Sequence, residues 1–217
     1  MEIINLGKEN SILNQFVAEL RDKNTQKDSM RFRRNLERLG EIFAYEISKK
    51  LNYSGKKVVT PLGIADVSTP DDNVVLATIL RAGIPLHNGL LNFFDRSQCA
   101  FAGVYRKDGK SGLKVNFEYC TTPPLDGKVL ILADTMVATG HSIELTLQKL
   151  FENGKPAQVH IVCALASTDA VDYLKKAFHG EKVTLWAAAI DEELTSRSYI
   201  VPGLGDAGDL AFGEKVS

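Results

Sequence analysis

The chain has 217 residues, 44% of them hydrophobic and 24% charged, which suits one ordinary domain with a buried core. Its net charge of -1 gives no general footprint for nucleic acid or an anionic membrane, and no apolar run approaches the ~20 residues of a membrane helix. Three scattered cysteines, Cys99, Cys120 and Cys163, have no zinc-site spacing, and MEIINLGKEN has no secretion-signal pattern, so a cytoplasmic protein with reduced thiols is expected.

The N-terminal region, 1–56, reads as helical. After Ser29, apolar residues fall at Phe32, Leu36, Leu39, Phe43, Ile47 and Leu51, steps of three and four that line one helix face. Arg31, Arg33, Arg34 and Arg38 read as the solvated remainder of that helix. From residue 74 short continuous apolar runs take over: Val74 to Leu80, Ala100 to Tyr105, Val129 to Ala133, Val159 to Leu165, and Val183 to Ile190. Unbroken runs of this length suit strands covered on both faces. Pro85 is placed to start a helix through Leu86, Leu90 and Phe94. Ile143, Leu147, Leu150 and Phe151 form a second helical stripe, and Val171, Leu174 and Phe178 a third. Alternating strands and helices predict an α/β fold whose twisted sheet is mostly parallel, with sites beyond the carboxyl ends of its strands.

Two stretches interrupt the alternation. Residues 106–127 are long and polar and end in a Pro-Pro turn, so a flexible arm or lid is expected there. Residues 191–213 are rich in glycine, but Ile200, Val201 and Pro202 argue against a freely exposed loop.

Chemistry concentrates where the strand Val129–Ala133 runs into Asp134-Thr-Met-Val-Ala-Thr139-Gly140-His141-Ser142 and then a helix. The first N–H groups of a helix have no internal partner and carry partial positive charge, so a phosphate monoester binds there readily. Thr139 and Ser142 add hydroxyl donors, Gly140 lets the backbone approach closely, and Asp134 is set to accept from sugar hydroxyls. An ordinary strand–cap–helix junction with Ser142 as N-cap is the bland alternative.

This segment resembles the phosphoribosyl pyrophosphate signature of type I phosphoribosyltransferases. Most of them carry two adjacent acids, whereas uracil phosphoribosyltransferases read Asp-Pro-Met-Leu-Ala-Thr-Gly-Gly-Ser. Three further segments resemble the same family: Ile79-Leu80-Arg81-Ala82-Gly83, Val104-Tyr105-Arg106, and Tyr199-Ile-Val-Pro-Gly-Leu-Gly-Asp206-Ala-Gly-Asp209. The N-terminal stretch with Arg31-Phe32-Arg33 and Tyr45-Glu46 is also similar, so the likeness covers nearly the whole chain in order.

The resemblance implies the type I phosphoribosyltransferase fold with an N-terminal helical extension and a C-terminal base-binding hood. It implies conversion of uracil and phosphoribosyl pyrophosphate to UMP and diphosphate in pyrimidine salvage. Catalytic roles then fall on Arg81, Arg106, Asp134 and Asp206. Phosphoribosyl pyrophosphate would contact Arg81, Arg106, the loop residues Asp134, Thr135, Met136, Val137, Ala138, Thr139, Gly140, His141 and Ser142, and Asp206. Uracil would lie against Ile200, Gly205, Asp206 and Ala207. Guanidinium forks at positions 81 and 106 suit a polyanionic leaving group, and a lid carrying Arg106 would exclude water. Main-chain groups of the glycine-rich hood distinguish uracil from cytosine, because each buried group left unpaired costs ~1–3 kcal/mol.

Mg2+ is implied as a cofactor riding mainly on substrate and water, with no directly assigned protein ligand. A homodimer or higher oligomer is implied as well, and GTP is admitted as an effector. Transfer to a different base, or a nucleotide-sensing regulator of the same fold without turnover, are the alternatives. The chain departs from the family pattern at Thr135 (for Pro), at His141 (for Gly), at Pro85-Leu86-His87, and at Ala166-Ser167-Thr168-Asp169-Ala170 (for Ala-Pro-Glu-Gly).

Overall fold

The computed structural model describes residues 1–109 and 112–215, with side chains described outside 105–118. In chain order come β1 (Glu2–Asn5), α1 (Ile12–Arg21), α2 (Ser29–Ser48), the hairpin β2 (Tyr53–Thr60) and β3 (Gly63–Pro70), β4 (Val74–Leu80) and α3 (Ile84–Phe93). Then follow β5 (Gln98–Gly109), β6 (Gly112–Thr121), β7 (Val129–Ala133), β8 (Met136–Val137), α4 (His141–Phe151), β9 (Gln158–Ser167) and α5 (Thr168–Ala177). The chain closes with β10 (Val183–Asp191), β11 (Glu193–Leu194), β12 (Ile200–Val201) and α6 (Ala207–Phe212).

The main sheet runs β1-β10-β9-β7-β4-β5-β6, with β8 also paired to β9. Every pairing is parallel except that of β6 with β5. Side chains alternate between two apolar layers, as a strand's period of two requires. Leu130 and Leu132 of β7 join Ile143, Leu147 and Leu174 under α4 and α5, while Ile131 and Ala133 join Phe32, Leu36 and Phe43 under α2 and α3. Both faces are therefore covered, which is why the strands read as unbroken apolar runs. Helices α2 and α3 cross backbone to backbone: a Cβ on Gly89 would sit 1.9 Å from the Glu37 carbonyl oxygen, and one on Gly40 2.2 Å from that of Leu86. No helix among the described residues is long and apolar enough to cross a membrane.

Several expectations are corrected. Glu2–Asn5 is not helical; it pairs with Thr184–Ala187 at the sheet edge, where neighbouring main chain supplies the hydrogen bonds that four residues cannot make alone. The end of region 1–56 belongs to the β2–β3 hairpin, a separate two-stranded sheet in which no residue is buried. Within 106–127, where a flexible arm or lid is expected, β5 and β6 pair as an antiparallel ribbon that reaches Thr121, residues 110 and 111 lying outside the described ones. The arginines of α2 also do more than meet solvent. Arg31 Nε reaches Glu19 at 2.9 Å, Arg38 lies over Phe16, and Arg33 donates to the Ala211 carbonyl at 2.6 Å. Asp28 caps α2 by accepting from Arg31 N, and Ser167 caps α5 by accepting from Ala170 N.

Two histidines lie in the core. Burial lowers the pKa of His87. Burial, helped by the Lys50 charge, brings His160 down to about 4 while Glu2 opposes the shift; Trp186 Nε1 donates to its Nδ1 at 3.1 Å. The unfolded chain, with an ordinary histidine near 6.5, therefore binds a proton that the folded chain refuses between pH 6.5 and about 4. This contribution to stability is complete above pH 6.5 and is lost as pH falls through that window. We expect urea unfolding to show a shallower acid loss in His160→Gln, which keeps an acceptor for Trp186, by up to ~1.4 kcal/mol per pH unit. Parallel pH profiles for the two proteins would contradict this.

Candidate functional site

The turn after β7 owes its shape to three residues. Thr135 is fully buried and its hydroxyl donates to the Ala82 carbonyl, tying this turn to the Arg81–Gly83 turn that follows β4. The Thr135 carbonyl accepts from Ala164 and Leu165 N at 3.1 and 3.2 Å, fixing the turn to β9. Gly140 then takes φ 83°, a left-handed conformation, hard against Tyr173 and Leu174. Gly140, not Ser142, is the N-cap of α4, and it offers no side chain to the first-turn N–H groups. His141 is the first helical residue, so the positive φ falls on the glycine before it. The imidazole of His141 stacks on Tyr173 at 4.3 Å between centroids, and the Tyr173 hydroxyl donates to Glu144, whose hydrogen bond raises the phenol to about 12.

A cavity of about 890 Å3 opens beside this turn, at the carboxyl side of β4 and β7. Arg81, Asp134, Met136, Ala138 and Ser142 line one side; Asp206, Ala207 and Gly208 line the other. The tail thus meets the turn across one space. Arg81 Nη2 lies 3.2 Å from Asp209 Oδ1 and 3.3 Å from the Gly213 carbonyl, while Asp206 Oδ2 lies 3.6 Å from Lys215 Nζ. The Arg81 side chain is 41% exposed and that of Lys215 61%, so these ion pairs are weak and exchange partners at little cost. Asp206 Oδ1 caps α6 by accepting from Asp209 N at 3.0 Å.

Not every expected residue faces the cavity. Thr135 and Val137 point into the core, and Thr139, Gly140 and His141 shape the turn without lining the space. Ile200 is buried behind the wall, and Gly205, at φ 95°, sets the direction in which Asp206 and Ala207 follow. Arg106 lies on β5 opposite Val115, and its side chain is outside the described residues.

The sequence reading also missed lining residues: Tyr119 from β6, Arg197 and Ser198 from the β11–β12 turn, and Lys215. That turn is held by Thr195, whose N–H donates to the Tyr199 carbonyl at 2.8 Å and whose hydroxyl accepts from Tyr199 N at 3.1 Å. Ser198 adopts φ 60° there. Its short polar run between two apolar residues was a turn signal that could have drawn attention to Arg197.

A uracil phosphoribosyltransferase family model matches residues 8–214. A uracil phosphoribosyltransferase from Porphyromonas gingivalis is 52% identical over all of both chains. One from Pyrococcus furiosus is 37% identical over 93% of this chain and 86% of its own. Among solved structures, the AQ2163 protein from Aquifex aeolicus superposes with a TM-score of 0.87 at 28% identity, over 99% of this chain and 100% of that one. A hypoxanthine phosphoribosyltransferase from Staphylococcus aureus, 13% identical with a TM-score of 0.50 over 73% of this chain and 74% of its own, shares the fold alone. The parallel sheet is therefore that of the type I phosphoribosyltransferases. With the turn before α4 and the glycine-rich tail lining one cavity, and a family match along almost its entire length, the chain belongs to the uracil phosphoribosyltransferase family.

Proposed function

We propose that this chain transfers the phosphoribosyl group of phosphoribosyl pyrophosphate to uracil, giving UMP and diphosphate. The observation that carries the reading is the shared cavity, with Asp134 and Ser142 of the α4 turn on one side and Asp206 and Ala207 of the tail on the other. In this reading the 5′-phosphate sits on the first-turn N–H groups of α4, with a hydroxyl donor from Ser142. Thr135, Val137, Gly140 and His141 hold the shape of that turn, while Met136 and Ala138 supply its wall. Asp134 accepts hydrogen bonds from the ribose hydroxyls. Arg81 exchanges its weak bonds to Asp209 and Gly213 for the diphosphate, joined by Arg106 from the β5–β6 ribbon.

As the bond from the anomeric carbon to the diphosphate breaks, positive charge gathers on the sugar and negative charge on the leaving group. Uracil N1 forms the new bond and gives up its proton. Guanidinium groups already in place stabilise the departing diphosphate without reorganisation. The main chain of Gly205, Asp206 and Ala207, backed by Ile200, presents donors and acceptors to the uracil carbonyls and N3–H. Asp206 also faces the sugar diphosphate.

Mg2+ bound to the diphosphate would offset its charge. The cavity suits that ion, since Asp134 and Asp206 are hard oxygen donors and its described lining has neither His nor Cys. The reading also makes this a cytoplasmic enzyme, in keeping with free thiols at Cys99, Cys120 and Cys163.

Diphosphate release should follow mixing of the protein with phosphoribosyl pyrophosphate, Mg2+ and uracil, and not with cytosine or a purine base. Release with another base would move the assignment to that base, and binding without release would make the chain a regulator. In calorimetry, Asp134→Ala should weaken phosphoribosyl pyrophosphate by about tenfold to a hundredfold, the worth of charged hydrogen bonds, with unfolding little changed. Unaltered affinity would remove Asp134 from the site.

We also propose a homodimer joined through the β2–β3 hairpin. Val59 is 83% exposed, Leu62 99% and Ile64 68%, on a two-stranded ribbon that water alone stabilises poorly. In this reading a second copy of the chain covers this apolar tip. Sedimentation at micromolar concentration should show a dimer for the native chain and a monomer for the Val59→Asp, Leu62→Asp double variant. Equal masses for the two would count against it.

A further inference from the structure

We propose that the Arg21–Asp191 ion pair is a positioning device for base recognition, holding Gly203 by both of its main-chain polar atoms and so setting the wall formed by Gly205, Asp206 and Ala207. The inference rests on the functional reading above and extends it to residues outside the cavity.

Arg21 is the last residue of α1 and Asp191 the last of β10, two elements 170 positions apart in the chain. Their side chains meet as a fork on a fork: Nη1 to Oδ2 at 2.8 Å and Nη2 to Oδ1 at 2.7 Å. The same Nη1 donates to the Gly203 carbonyl at 3.1 Å, and the same Oδ2 accepts from Gly203 N at 3.1 Å. One peptide residue is thus gripped by a cation on its acceptor and an anion on its donor. Thr168 Oγ1 donates to the Asp191 carbonyl at 3.3 Å, anchoring the strand end from the other side.

Gly203 is also closely enclosed, with no room for a side chain. Its φ is 56°, and a Cβ there would lie 2.1 Å from the Ile200 carbonyl oxygen. Only Leu204, itself 4% exposed and packed in the core, separates it from Gly205. Movement at Gly203 therefore passes directly to the main chain that meets the base.

Asp191 is 7% exposed, and a largely buried ion pair adds little net stability over an apolar pair of similar size. A planar fork does supply fixed direction, with donors and acceptors at set angles. Direction is what main-chain recognition needs, because hydrogen bonds to a planar base require placement to within about 0.5 Å.

The test compares Arg21→Lys and Asp191→Asn with the native enzyme. Lysine keeps a positive charge toward Asp191 but loses the fork. Asparagine keeps the shape but loses the charge. We expect KM for uracil to rise about tenfold in each, as for the loss of about one good hydrogen bond, while phosphoribosyl pyrophosphate affinity by calorimetry stays within about twofold. The rate ratio of uracil to cytosine should fall in parallel. An unchanged uracil KM in a folded variant overturns the inference. So does a rise in both substrate constants that tracks lost stability in urea, since a merely structural pair would loosen the whole site. If one variant fails to fold, the other carries the test alone. Native enzyme that releases no diphosphate with uracil defeats the functional reading, and this inference with it; native turnover beside unaffected variants defeats the inference only.

Discussion

A parallel sheet covered by helices on both faces leaves its carboxyl edge open to a polar ligand, and that constraint governs the rest of this molecule. The turns after β4 and β7 leave adjacent strands at that edge, so Arg81 and Asp134 line one cavity although their turns are 53 positions apart in the chain. The Thr135 hydroxyl on the Ala82 carbonyl then makes the two turns one unit. In the family pattern a proline stiffens this position by fixing φ. Here a buried hydroxyl supplies a tie between turns instead, so a departure visible in the sequence has a local structural replacement.

The charge arrangement is as local as the turn. A net charge of -1 says nothing about a site where Arg81, Arg197 and Lys215 line one cavity with Asp134 and Asp206. Arg81 pairs with Asp209 and the Gly213 carbonyl, and Lys215 with Asp206, through exposed contacts. Such contacts hold the side chains near the cavity and yield readily to a polyanion, which binds guanidinium groups by bidentate hydrogen bonds. Composition averages this local clustering away.

What was legible in the sequence follows from how each element is stabilised. Val74–Leu80 and Val129–Ala133 were found to the residue because burial on both faces demands an unbroken apolar run. The α2 face was equally plain, since a 20-residue helix repeats its apolar step many times. Glu2–Asn5 was not legible: its four residues form a strand only because β10 offers an edge. The β2–β3 hairpin left no core pattern, since none of its residues is buried. Ser142 was the cap that the bland alternative offered for α4, because a serine ahead of an apolar stripe is a common cap, while the left-handed Gly140 depends on the packing of Tyr173 and Leu174. Within the site, Asp134, Arg81 and Asp206 were legible through motif likeness. Arg197 and Lys215 were not, since their position depends on how the tail folds back.

The two halves of the cavity stand on different supports. The half around the β7–α4 turn is built within one strand–turn–helix unit and tied to the neighbouring strand. The other half is built from the tail, and the tail is held by the beginning of the chain: Arg21 at Gly203, and Arg33 at the Ala211 carbonyl with its guanidinium 6.0 Å from the Phe212 ring. Leu204, Ala207 and Ala211 then bury against the same apolar layer as Phe32, Leu36 and Leu39 of α2. Contacts between chain ends close a large loop and form at an entropic cost that local turns do not bear. On the proposed function, a site divided in this way can vary in its choice of base through the supports of the tail while the part carried by β4, β7 and α4 stays as it is.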